Sequence, residues 1–172
     1  MLFENNYQFA REKYMPVKVR VLFVAESPPN SGSFFYFRRT NGRDNLFRET
    51  MRALGFWKIG VPMRKNMDKT GLLGKFRSRG FYLIDVCGTP VDKLPAKLRS
   101  KRVEQGLEPL LEQVKRLGPS RILVVKVSIY YKVKAALAAA GFASRIVNRG
   151  PILFPSHGNQ GKYRRQLRNY LR

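Results

Sequence analysis

Val19-Arg20-Val21-Leu22-Phe23-Val24-Ala25-Glu26-Ser27-Pro28-Pro29 is an apolar run that breaks into an acid, a hydroxyl and two prolines. Such a run is typical of a strand buried on both faces, as in a parallel sheet covered by helices. In open α/β sheets, ligands bind outside the carboxyl ends of the strands. The break therefore has two interpretations, an ordinary exit into a loop or a functional site at Glu26 and Ser27.

Strand and helix patterns alternate along the rest of the chain. Apolar runs at Phe81–Val86 and Ile122–Val125 predict two more strands, and a weaker strand is predicted within residues 143–154. Helical spacing predicts helices near residues 45–54, 103–117 and 129–140, a short helical piece at 72–76, and a last helix carrying Tyr163, Leu167 and Leu171. We therefore predict an α/β fold of three layers, α/β/α, with a central parallel sheet of about four strands.

The charge of the chain points to a polyanionic partner. The 172 residues suit a single domain, residues 1–172, and 34 Lys and Arg against 11 Asp and Glu give a net charge of +23. Such an excess repels itself unless a polyanion neutralises it. The basic residues are spread over the whole chain, so we expect the folded body to bind nucleic acid. No segment has the clean apolar face and basic flank of a membrane-surface helix.

Cysteine content and hydropathy narrow the expected location and cofactors. The single cysteine, Cys87, excludes an internal disulfide and a four-cysteine zinc or iron–sulfur site, and its place after a strand favours a buried thiol. No signal peptide, membrane span or metal-ligand cluster is evident. We expect an intracellular monomer without cofactor or metal, in the cytoplasm or nucleoid if the source is prokaryotic.

Four segments, in this order along the chain, resemble the uracil-DNA glycosylase superfamily. They are Ala25-Glu26-Ser27-Pro28-Pro29, Phe34-Phe35-Tyr36, Leu83-Ile84-Asp85-Val86 and Phe154-Pro155-Ser156-His157-Gly158-Asn159. The first is similar to the Gly-Glu-Ala-Pro-Gly and Gly-Gln-Asp-Pro-Tyr motifs of that superfamily, and the last to its His-Pro-Ser-Pro and Asn-Pro-Ser-Gly motifs. The order and spacing carry the resemblance, because each short string is common by itself.

The resemblance implies a uracil-DNA-glycosylase-like domain and a monofunctional DNA glycosylase of base excision repair. Such an enzyme turns a damaged or modified base out of DNA and hydrolyses its N-glycosidic bond. Phe35, or failing it Phe34 or Tyr36, would stack on the extruded base. Ser27 matches the position of the residue that orients water. Because a serine is a poor base, Glu26 is the better candidate for water activation or electrostatic support.

Two departures from the motifs affect the expected substrate and mechanism. Asp85 stands where the superfamily usually has an asparagine that reads uracil, and a carboxylate can only accept hydrogen bonds. A protonated Asp85 would suit cytosine-like or other amino-bearing bases, so uracil is one of several possible substrates. Phe154 occupies the place of a frequent histidine, and the lone His157 follows three residues later as a further catalytic candidate.

The last motif and the last helix supply the expected contacts to the DNA backbone. Candidate phosphate-binding residues are Ser156, Asn159, Lys162, Arg164 and Arg165. Gly158 and Asn159 lie where other members carry a bulky wedge, which favours single-stranded or mismatched DNA.

Other interpretations of the residues stay open. Glu26 and Asp85 could each simply pair with an arginine, and the aromatic residues 34–37 could all be core. The chain could also be a non-catalytic DNA- or RNA-binding protein, or a small hydrolase or transferase acting on a nucleotide. The sequence has no Gly-rich phosphate loop, which counts against the last of these.

Overall fold

The computed structural model describes residues 2–172, with side chains from residue 6 onward. Three parallel strands form the sheet, namely β1 (Val21–Ala25), β2 (Phe81–Asp85) and β3 (Arg121–Val124), in the order β2-β1-β3. All residues of β1 are buried, as expected for the central strand of a covered sheet. The α/β class and the three strongest strand predictions are confirmed.

Six α-helices accompany the sheet in the described residues. They are α1 (Leu2–Glu12), α2 (Asn45–Ala53), α3 (Thr70–Ser78), α4 (Ala96–Leu117), α5 (Val127–Ala139) and α6 (Gln160–Leu171), with a 3₁₀ turn at Ala143–Arg145. Helix α1 was not predicted from the sequence. Helix α4 begins seven residues before Val103, where the apolar spacing placed its start, because its first turns are largely exposed.

Three strands are hydrogen-bonded into the sheet in the described part of the chain, and the fourth strand predicted within residues 143–154 is not among them. Residues 143–154 contribute the 3₁₀ turn and two isolated parallel bridges, Ile122 to Ile146 and Val125 to Ile152. Between the bridges, the side-chain amide of Asn148 accepts from Val124 N at 3.0 Å and donates to Val124 O at 3.0 Å. A buried amide side chain thus takes the place of a strand next to β3.

The opposite edge of the sheet is closed by a tyrosine hydroxyl. The Tyr36 hydroxyl accepts from Leu83 N at 2.7 Å and donates to Leu83 O at 3.2 Å. Both partners lie in β2, which has no strand on that side within residues 2–172. Because an unpaired buried backbone group is costly, Tyr36 belongs to the framework of the sheet.

The connections place helices on the two faces of the sheet. The chain passes from β1 to its neighbour β2 through α2 and α3, and then crosses back over β1 to β3 through α4. Because crossovers between parallel strands are right-handed as a rule, connections in opposite directions place their helices on opposite faces. Accordingly α2 packs with α6, and α4 packs with α5. No described helix is both long and apolar enough to cross a membrane.

Helix α4 approaches the end of β2 very closely at Gly106. A Cβ atom at this position would lie 2.3 Å from the backbone oxygen of Val86. Only glycine therefore fits, and the close approach fixes α4 against the carboxyl end of the sheet.

Candidate functional site at the carboxyl end of the sheet

A cavity of about 590 Å³ opens at the carboxyl ends of the strands. Its wall brings together residues from loops that are far apart in sequence, including Glu26, Ser27, Asp85, Ser156 and His157. These are five of the site residues predicted from the sequence. Cavities of this size are typical of sites for small molecules or single bases.

Strand order and register bring Glu26 and Lys126 to the same level of the sheet. Val24 pairs with Val124, and Glu26 and Lys126 each follow two residues later. The loop after β1 leads toward α2 and the loop after β3 leads to α5, and these two helices pack with different partners, α6 and α4. This divergence is the place where open α/β sheets bind their ligands.

Glu26 is a buried carboxylate whose two oxygens are occupied by donors. Arg99 on α4 contacts both, with its Nε donating to Oε1 at 2.9 Å and its Nη2 donating to Oε2. Lys126 donates to Oε2, and the Ser128 hydroxyl donates to Oε1 at 3.1 Å. The pairing with an arginine that the sequence left open is therefore present, inside the cavity rather than on the surface.

These contacts keep Glu26 ionised. Burial alone raises the pKa of Glu26, but the hydrogen bonds and charges of Arg99 and Lys126 outweigh it, so the pKa lies below the usual value. A carboxylate in this state is a weak proton acceptor. It is well suited to hold two cations in fixed positions.

Backbone strain is concentrated at the cavity. Among the described residues, three non-glycine residues have a positive φ, and two of them, Lys126 at 96° and His157 at 49°, line the cavity. Such conformations cost on the order of 1–3 kcal/mol each and persist where surrounding contacts impose them. Lys126 is held at both ends, since its backbone N donates to Ile152 O at 3.1 Å and its Nζ lies 5.6 Å from the centre of the Phe154 ring.

Asp85 lines the cavity and is also paired with an arginine. Arg11 on α1 donates from Nη2 to Asp85 Oδ2 at 2.6 Å, while Oδ1 has no hydrogen-bond partner among the described side chains. Burial raises the pKa of Asp85, Arg11 offsets part of this effect, and the charge of Glu26 adds to it. The pKa therefore stays above the usual aspartate value, and one oxygen remains for a ligand.

The predicted stacking rings are only partly available. Phe34 and Phe35 reach the cavity wall, but both are nearly fully buried in a cluster of aromatic side chains. Tyr36 does not line the cavity, because its hydroxyl is engaged with β2. Phe154 also lines the cavity and is half-buried, so its ring is more accessible than those of Phe34 and Phe35.

The remaining predicted catalytic residues, Ser27 and His157, also line the cavity. Ser27 Oγ accepts from Val91 N at 3.4 Å, which ties the first loop to the loop after β2. His157 is exposed, and its Nδ1 lies 3.0 Å from Ser156 Oγ. Of the two, His157 lies at the solvent-exposed rim, whereas Ser27 is half-buried.

The predicted phosphate contacts on α6 lie outside the cavity wall. Asn159 is the residue directly before α6, and Lys162 and Arg165 are exposed on its surface. Arg164 is half-buried and donates from Nη1 to Oε2 of Glu49 on α2. Arg164 is therefore held in an ion pair, whereas Lys162 and Arg165 are exposed to solvent.

Sequence reasoning missed the three cations that pair with Glu26 and Asp85: Arg11, Arg99 and Lys126. Lys126 directly follows a buried strand, the same signal that singled out Glu26, and could have been found by it. Arg99 and Arg11 lie on helices, where one arginine among 34 basic residues gives no signal.

Comparisons with known proteins do not assign the site. No protein-family model matches the chain, and a search of curated proteins returns no match. In residues 2–172, no group of three or more His, Cys, Asp or Glu side chains is arranged to hold a metal ion.

Proposed function

We propose that this chain is a monofunctional DNA glycosylase that holds a damaged or modified base in the cavity and hydrolyses its N-glycosidic bond. The observation that carries the proposal is the meeting of Glu26, Lys126, Arg99 and Asp85 in one aromatic-walled cavity on a chain of net charge +23. The proposal agrees with the resemblance of the four motif segments to the uracil-DNA glycosylase superfamily.

The reaction develops two charges that this cavity is suited to stabilise. As the bond from C1′ to the base nitrogen breaks, its electron pair passes to the base and the sugar becomes an oxocarbenium ion. Water then adds to C1′, and its released proton restores the neutral base. Charged groups positioned in advance lower such a barrier most where water is excluded.

In this mechanism Lys126 stabilises the departing base. Its ammonium group is held beside Glu26 and near the Phe154 ring. Phe154 occupies the sequence position where the superfamily often has a histidine. Lys126 is three-quarters buried, whereas His157 is exposed at the rim. We therefore assign the leaving-group contact to Lys126 rather than to His157.

Glu26 supports the sugar and positions the cations. Its low pKa makes it a poor base for water, but its fixed negative charge favours a neighbouring oxocarbenium ion. Because an oxocarbenium ion is a strong electrophile, water needs little activation. Electrostatic support is therefore the role we assign to Glu26, with Ser27 at the edge of the same turn.

Asp85 reads the edge of the base in this proposal. With Oδ2 occupied by Arg11, Oδ1 is the atom that faces a ligand. When ionised, Oδ1 accepts from an N–H or an exocyclic amine, and when protonated it can donate to a ring nitrogen or carbonyl. We propose amino-bearing or deaminated bases as the substrate class.

We propose single-stranded or mismatched DNA as the preferred form of the substrate. Residues 156–159 at the rim are Ser, His, Gly and Asn, and none of them is a bulky apolar side chain that could fill the gap in a duplex. An already unpaired base avoids most of the unstacking cost.

A base-release assay tests the proposal. Oligonucleotides with a single uracil, hypoxanthine, xanthine, cytosine or modified cytosine, single-stranded and duplex, are incubated with the protein and then treated with alkali to cleave abasic sites. We expect strand scission at the target base for at least one substrate. Tight binding with no scission on any substrate would instead support the non-catalytic nucleic-acid-binding alternative.

A further inference from the structure

A second charged cluster lies between helices α2 and α6, outside the cavity. Glu49 is fully buried and forms ion pairs with Arg48, Arg52 and Arg164. No other carboxylate in the described residues has three ion-pair partners. Burial alone raises the pKa of Glu49, but these arginines outweigh it, so the pKa lies below the usual value. We call this group the Glu49 cluster.

The arginines of the Glu49 cluster have different amounts of free hydrogen-bonding capacity. Arg52 has both terminal nitrogens engaged: Nη1 donates to Glu49 at 2.9 Å and Nη2 donates to Val61 O at 2.8 Å. Arg48 uses Nε on Glu49 and Nη2 on Asn45, and Arg164 uses Nη1 on Glu49. The other guanidinium donors of Arg48 and Arg164 have no protein partner within the described residues, and both side chains keep about a fifth of their surface exposed.

We propose that the Glu49 cluster is a binding site for a phosphodiester group of a nucleic-acid strand, with Arg48 and Arg164 as its direct contacts. One buried carboxylate binds these two guanidinium groups through opposite oxygens and so fixes them side by side. The cluster keeps two uncompensated positive charges on largely buried side chains that still reach solvent, an arrangement that an anion stabilises. Arg52 acts as the support beneath them.

The location of the Glu49 cluster suits a strand that also enters the cavity. Asn45, which accepts from Arg48 Nη2, lines the cavity wall, and α6 begins three residues after His157 at the rim. The inference rests on the proposal that nucleic acid is the ligand of this face. It assigns the grip on the backbone to a preorganised pair rather than to the exposed Lys162 and Arg165 alone.

Binding of an undamaged single-stranded oligonucleotide tests the inference without any base release. Affinity is measured by fluorescence anisotropy over a range of salt concentrations for the natural chain and the double variant Arg48→Gln/Arg164→Gln. We expect a loss of about tenfold or more and a salt dependence reduced by roughly 0.7 for the lost phosphate contact. The charge-matched control, Lys115→Gln/Arg116→Gln, lies in the last turn of α4 at the opposite end of the sheet, and should lose much less.

The variant Glu49→Gln separates a built site from simple charge attraction. It makes the chain more positive, so unspecific attraction would strengthen binding, whereas loss of the carboxylate that positions Arg48 and Arg164 should weaken it. Circular dichroism checks that each variant is folded. If Glu49→Gln does not fold, the comparison of the arginine double variant with its control tests the inference by itself.

Equal losses in the cluster variant and the α4 control, or tighter binding by folded Glu49→Gln, would overturn the inference. A chain that binds in the expected way but releases no base would leave this site standing while refuting the glycosylase. Failure of the natural chain to bind the oligonucleotide refutes the phosphodiester site.

Discussion

Lys126 Nζ donates a hydrogen bond to Glu26 Oε2 across the point where the loops after β3 and β1 diverge. The pair is largely buried, and Arg99 makes it a triad of two cations and one carboxylate. An isolated pair of this kind would be a weak contribution to stability, because desolvation offsets most of the attraction. Its position at a cavity, together with the strained backbone of Lys126, supports the role proposed for it above.

Replacing Glu26 by glutamine should reduce base release by about a hundredfold or more, because the charge that holds Lys126 and Arg99 is lost. DNA affinity should change little, since the phosphate contacts lie elsewhere. Single-turnover rates and anisotropy measure the two quantities on the same oligonucleotide. Glu112→Gln, an exposed carboxylate on α4, is the matched control. Undiminished release by Glu26→Gln would remove Glu26 from the mechanism.

Lys126→Met should slow base release most for a poor leaving group. If the ammonium stabilises negative charge on the departing base, then its loss matters less for a base that carries that charge easily. We expect uracil release to fall by about a hundredfold or more, and 5-fluorouracil release to fall clearly less. His157→Ala, at the exposed rim, provides the comparison. Equal losses for the two bases in Lys126→Met would contradict this role.

Asp85→Asn should shift the base preference toward uracil. An amide can both accept from N3–H and donate to O4, whereas ionised Asp85 can only accept. Competition between uracil- and cytosine-type oligonucleotides measures the preference. Asp92→Asn, another carboxylate of the cavity wall, should leave it unchanged. The raised pKa of Asp85 means that its carboxyl group loses its proton at a higher pH than an ordinary aspartate does. The base preference of the natural chain should therefore change with pH in that higher range. Asp85→Asn should remove this pH dependence.

How far the sequence predicts this site depends on which element carries each residue. Glu26 directly follows β1 and Asp85 is the last residue of β2, so the two apolar runs predicted that both lie at one edge of the sheet. Arg99 reaches the cavity from α4, and Arg11 reaches Asp85 from α1. Both positions depend on helix packing that no local pattern encodes. The fourth strand was also predicted from a local pattern. In the structure the side-chain amide of Asn148 makes the hydrogen bonds to Val124 that a neighbouring strand would make.

Acid should destabilise the chain through its buried glutamates. The pKa values of Glu26 and Glu49 lie below the usual value of about 4.5, so their ion pairs stabilise the fold fully above that pH. The stability is lost as the pH falls through the folded-state pKa values. Urea unfolding at pH 7, 5 and 3.5 measures it, and Glu49→Gln should flatten the decrease compared with Glu112→Gln. An equal decrease in both variants would assign the acid sensitivity to other groups.

Tyr36→Phe tests whether the closed edge of β2 supports the cavity. Removal of the hydroxyl leaves Leu83 N and O buried without their partner, which should cost about 1–3 kcal/mol of unfolding free energy. Tyr14→Phe is the matched control, because its ring stacks on Tyr36 but its hydroxyl makes no hydrogen bond among the described residues.

Leu83 and Asp85 lie on the same strand and both line the cavity, so loosening this edge should also weaken base recognition. We therefore expect a higher KM for Tyr36→Phe in the base-release assay, while Tyr14→Phe keeps both its stability and its KM. If Tyr36→Phe unfolds like the natural chain, the hydroxyl does not replace a strand.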